Sequence, residues 1–220
     1  MYIFSRVHPS RLLPPFARSV GNRQDLKFDG CVPLLLHRLN AAEFLRGYLD
    51  CPKSEGRLDK SIYTVYCCNQ FVGVLCANSL WKYIFSEPFR WLSGKGAKIK
   101  DWSLFKMSEV LEMVEKAMEE IAADPTRALD LNLDIFGPVA AQVPEFKEWR
   151  DELMQTKVTA ADGETEYFLT QEVLKRVRTP QPDSGEELAR PFMLKVLKAQ
   201  ARRSVLRRSS TTSGWRSRTS

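Results

Sequence analysis

The clearest periodic signal in the chain lies in residues 104–123, where Met107, Val110, Leu111, Val114, Met118 and Ile121 recur at three- and four-residue spacing. That spacing puts them on one stripe of an α-helix. Glu109, Glu112, Glu115, Lys116, Glu119 and Glu120 fall off the stripe. Asp124-Pro125 closes it, because the residue before a proline is pushed away from helical geometry. A second helix is predicted over 144–154, with Pro144 in the first turn and Phe146, Trp149 and Leu153 following. Asn40, with Glu43 three residues later, marks the start of a helix over 41–49. Thr170 caps a last short helix to residue 177.

Other stretches read as strands. Residues 31–37 are a short apolar run that Pro33 confines to a strand start or a sheet edge. Residues 61–81 contain no charged side chain and lie between Lys60 and Lys82. That is long enough to cross a bilayer, which takes about 20 residues. Asn69 and Gln70 at its centre, with Thr64, Gly73 and a high Tyr, Val and Cys content, favour a buried hairpin of 62–68 and 71–77 instead. Residues 157–160 and 166–169 flank Asp162-Gly163 and suggest a second hairpin. The expected fold is α+β: a helix-dominated single domain with a small antiparallel sheet seeded by 62–77, and basic flexible termini.

Charge divides the chain further. Of 33 Lys and Arg and 27 Asp and Glu, giving +6 overall, residues 1–24 hold four Arg and no acid. Residues 190–220 hold seven Arg and two Lys, again with no acid, which leaves −7 for 25–189. The expected organisation is a basic leader (1–28), a globular domain (29–178), a Pro- and Gly-containing acidic linker (179–189) and a basic amphipathic helix with a disordered tail (190–220). The leader has the composition of an organelle transit peptide, which would mean mitochondrial import. Pro9, Pro14 and Pro15 interrupt the helix such a peptide needs. Five cysteines without framework spacing point to a reducing intracellular compartment, cytoplasmic or nuclear, with each thiol a small buried apolar group.

Catalytic chemistry finds little footing. His8 and His37 are the two histidines, and there is no Gly-x-Ser-x-Gly, HExxH or paired CxxC. No catalytic, cofactor or metal residue is assigned. Ser93–Lys98 lacks the spacing of a phosphate loop. Asp130 and Asp134 would do acid–base work only if held together in a cleft near the aromatic cluster, which is the enzyme alternative. The cluster itself (Trp81, Tyr83, Phe85, Phe89, Trp91), interleaved with Lys82 and Arg90, suits either a core or a base-stacking platform. Large aromatics usually serve cores, and that reading is preferred.

The C-terminal segment carries the most specific pattern. Over 191–208 apolar residues share one broad helical face, while Lys195, Lys198, Arg202, Arg203, Arg207 and Arg208 supply charge. Phe192, Val196, Ala199 and Val205 are spaced one-five-eight-fourteen, which resembles the anchor pattern of calmodulin-binding segments. Ser204 after Arg202-Arg203, and Ser210 after Arg207-Arg208, resemble sites of basic-directed kinases. The expected function is a non-enzymatic interaction protein whose basic helix binds an acidic partner: a calmodulin-like protein, an anionic lipid surface or nucleic acid. RNA binding or organelle targeting is the further alternative.

Overall fold

Helices run in the order α1 (Arg23–Leu49), α2 (Arg57–Cys67), α3 (Asn69–Trp81), α4 (Glu87–Gly94), α5 (Leu104–Ala123), α6 (Gly137–Gln142), α7 (Pro144–Met154), α8 (Leu169–Arg178) and α9 (Glu186–Arg216). A π-helical segment, Lys82–Ser86, joins α3 to α4, and a 3-10 turn, Pro125–Leu129, follows α5. Two strands, β1 (Lys157–Thr159) and β2 (Glu166–Phe168), pair antiparallel with Val158 opposite Tyr167. This computed structural model describes residues 23–50, 56–94, 104–159, 166–180, 182 and 185–216, with the side chains of 23–27, 104–105 and 205–216 excepted. The chain is thus helix-dominated with one small antiparallel sheet. That sheet comes from the second hairpin expected in the sequence, not the first.

The charge-free stretch is the centre of the fold, and it is helical. It forms the end of α2 and all of α3, with a break at Cys68 in extended geometry. Every residue from Leu75 to Trp81 is buried, as are Val72 and Gly73. α9 packs along one side of α3, α1 along another, and α8 also touches it. A helix covered on most sides needs no polar face, so it shows no amphipathic period. Burial therefore overrides the strand preference of its Val and Cys residues, and the hairpin expected over 62–77 is not formed. No helix among the described residues is long and apolar enough to cross a membrane.

Close approach of α3 and α9 depends on Gly73. A Cβ there would stand 2.8 Å from the Met193 amide nitrogen and 2.9 Å from the Ala189 carbonyl oxygen. Asn78 of α3 accepts a hydrogen bond from Gln200 of α9 at 2.7 Å. From α9, Ala189, Met193, Leu197 and Ala201 enter the core, Leu197 and the two alanines with no exposed surface. These four residues, spaced by four, form the inward stripe. The expected division into a body, a linker over 179–189 and a separate tail from 190 is corrected here: residues 186–204 are an ordinary element of the core. The sequence pattern has the right period, but its destination is different. An apolar stripe on a basic helix looks the same whether it seeks a partner or its own fold.

α1 brings two further corrections. Residues 31–37 and Asn40 lie within one continuous helix, so neither the strand nor the N-cap forms. Pro33 is inside α1, which costs about 3 kcal/mol in an ordinary helix. Val32 and Leu35 are fully packed, and Phe28 contacts the core. Burying such residues is worth about 1.5–3 kcal/mol each, enough to offset the proline. The structured chain accordingly begins before residue 29; residues 1–22, including the transit-peptide reading, lie outside the described residues. Arg38 of α1 donates to Glu186 at the start of α9 at 3.0 Å, with both side chains buried. Gly185, at φ +75°, turns the chain into α9 directly over the Arg38 guanidinium. Removing one partner of such a pair costs about 3–5 kcal/mol, because it leaves the other charge buried alone.

Two of the remaining helices follow their sequence signals. α5 and α7 have the expected bounds. Asp124 caps the 3-10 turn by accepting from the Thr126 amide at 3.0 Å. The aromatic cluster is core: Trp81, Tyr83 and Trp91 are buried, and Trp91 meets Phe146 edge-on at 5.3 Å and stacks on Trp149 at 5.8 Å. Centroid separations of about 4.5–7 Å are those of favourable ring pairs.

Candidate functional site

The residues expected to bind a partner all belong to α9, and the fold sorts them by side. With Met193 and Leu197 facing inward, a helix of about 3.6 residues per turn directs Lys195 and Arg202 outward, with Lys198 and Arg203 on the flanks. Lys195, Arg202 and Arg203 are exposed, and Lys198 is half-buried. None of the four forms an ion pair with a carboxylate within 4 Å among the described residues. Lys195 sits 5.7 Å from the Phe192 ring centroid. Lys198 lies close enough to Asp124 to help hold that carboxyl below its usual range, although the Thr126 hydrogen bonds are the larger cause. Lys195 and Arg202 are seven residues apart, or about 10 Å along the axis.

The calmodulin-type anchors are not brought together as a free apolar face. Phe192 and Val196 are half-buried, with Val196 packed against the core, and Ala199 is exposed. Encirclement by a partner would require α9 to leave α3. The side chains of Val205, Arg207, Arg208 and Ser210 lie outside the described residues. Ser204 is half-buried and donates to the Gln200 carbonyl at 3.1 Å, so a kinase would have to open this turn to reach it.

The chain matches no family model, no curated protein and no solved structure. Its chemistry therefore rests on geometry alone.

The enzyme alternative required Asp130 and Asp134 to converge near the aromatics. Asp134 does line a cleft of about 280 Å³ beside the π segment, but Asp130 does not. Both Asp134 oxygens accept from Arg150 at 3.0 Å, which occupies that carboxylate. Asp130 accepts from the Asn132 amide at 2.9 Å and shapes its turn. His37 is half-buried in α1, and burial pushes its imidazole below the ordinary 6.5. Cys31 and Cys76 are buried thiols, pushed up to about 11 and about 12 by loss of solvent. Among the described residues no group of three His, Cys, Asp or Glu is placed to hold a metal.

The cleft itself was missed in the sequence. Its polar lining consists of Tyr83, Asp134, Arg150, Thr170 and Arg178. One signal for it was legible: Thr170, Leu174 and Arg178 recur every four residues, so a cation falls on an otherwise inward stripe of α8. Thr170 does not cap α8; its hydroxyl donates to the Leu153 carbonyl at 2.9 Å and ties α8 to α7.

Proposed function

We propose that this chain is a non-enzymatic interaction protein of the cell interior, cytoplasmic or nuclear, and that the outward face of α9 binds the phosphate backbone of a nucleic acid. The observation that carries this reading is the separation of roles on one helix. Its apolar side is spent on the core, while Lys195, Arg202 and Arg203 stand exposed on the other. Insertion of an amphipathic helix into lipid needs the apolar side, and so does encirclement by a calmodulin-like protein. Phosphate recognition needs only the cations. α5 beside α9 carries Glu112, Glu119 and Glu120 on exposed positions, so a polyanion would be confined to the α9 ridge.

The test is anisotropy of a labelled oligonucleotide against salt. Reversing Lys195, Arg202 and Arg203 to Glu should abolish binding. Replacing them singly by Ala should flatten the dependence of log K on log salt by about 0.9 for each duplex phosphate that is no longer neutralised. Unchanged affinity and slope would refute the reading. Binding to anionic vesicles but not to oligonucleotide, or salt-sensitive self-association of ridge against α5, would reassign the ridge.

A further inference from the structure

The cleft beside the π segment has a composition that the α9 reading leaves unused. One wall is the π turn, which supplies Tyr83 and Ile84. π turns inside helices are rare and often accompany functional sites. This one ends two residues before Pro88, whose missing N–H cannot bond to the Ile84 carbonyl. α8 adds Thr170, Leu174 and Arg178 to the lining, and Ile135 and Phe136 are its buried part. Leu131 stands at the rim with 66% of its surface exposed.

The charges in the cleft do not cancel. Asp134 and Arg150 neutralise one another through their paired hydrogen bonds. Arg178 then leaves the lining one positive charge in excess. Its Nε is cut off from solvent and has no hydrogen-bond partner among the described residues. Burial lowers the affinity of this guanidinium for its proton, which the nearby Asp130 partly counters. The Tyr83 hydroxyl, pushed up to about 12 chiefly by burial, stays protonated and is hydrogen-bonded to the Thr170 hydroxyl.

We infer that this cleft binds a small carboxylic acid with an apolar body, the carboxylate meeting Arg178 and the body resting against Ile84, Leu133 and Leu174. Ligand sites usually enclose about 300–1,000 Å³, and a cleft of about 280 Å³ admits only a compact acid. An arginine fork suits a carboxylate, and the single excess charge suits a monoanion.

Benzoate and its neutral analogue benzyl alcohol are the probes, read by methyl chemical shifts of Ile84 and Leu174 in the full chain. Benzoate should shift both methyls saturably, and benzyl alcohol should bind at least tenfold more weakly. Arg178→Gln should weaken benzoate at least tenfold, while Arg202→Gln on α9 leaves it unchanged. Should Arg178→Gln fail to fold, Leu174→Trp fills the cleft and should abolish the response with the cation in place. Equal response to both probes overturns the anion assignment. No shift with benzoate at millimolar concentration, or full binding by Leu174→Trp, overturns the site.

Discussion

α3 and α9 touch more extensively than any other pair of elements, yet they solve opposite problems. α3 carries no charge on any side and is covered on most of them. α9 is covered on one side and cationic on the other. Charge reports on what surrounds a helix, while its apolar stripe reports only that something does. On α3 the absence of charge resembles strand character. On α9 the presence of charge makes an ordinary core stripe look like a docking surface.

The contrast can be broken on α9 first. Leu197→Ala should cost about 2–5 kcal/mol by leaving a cavity in the core, while Lys195→Ala, two residues away and exposed, should stay within about 0.5 kcal/mol. Urea denaturation of the two variants checks both values. Similar costs would erase the distinction between the faces.

The packing of the two helices is sharpened at Gly73. Because the added methyl of Gly73→Ala would press on α9 backbone and not only on a flexible side chain, the helices must separate, at a cost of about 1–3 kcal/mol. Thermal melting measures it, and an unchanged melting temperature would show that the two backbones do not meet there.

A smaller effect concerns pH. The Cys31 and Cys76 thiols are raised from 9.0 to about 11 and about 12 by burial, and the Tyr83 phenol from 10.0 to about 12. Unfolded, these groups lose their protons near 9 to 10; folded, they keep them. The folded state therefore binds more protons, and stability should be intact below about pH 9 and fall as pH rises towards about 12. Cys76→Ala should flatten this alkaline decline in urea titrations at stepped pH.

How much of this was legible follows from where each helix sits. α5 and α7 each bury one side, so their stripes and stop signals survive in the sequence, from Met107 to Ile121 and from Pro144 to Leu153. α3 buries nearly all of itself and leaves no period to read. α1 hides behind Pro33, a residue that local rules exclude from a helix interior and that Val32 and Leu35 nonetheless carry into one. The cations of α9 are plain in the sequence, and the fold adds which of them face out. The cleft needed the π turn, the segment 131–136, the end of α7 and α8 to meet, and only the stripe of α8 was visible beforehand.

The most direct measurement removes residues 190–220 and follows the remainder by circular dichroism on heating. If α9 is the companion helix of α3, the shortened chain lacks Met193, Leu197 and Ala201 in its core and should show no cooperative melting transition. A shortened chain that melts cooperatively at the temperature of the full protein would contradict the account, and would return this segment to the role of an appended arm.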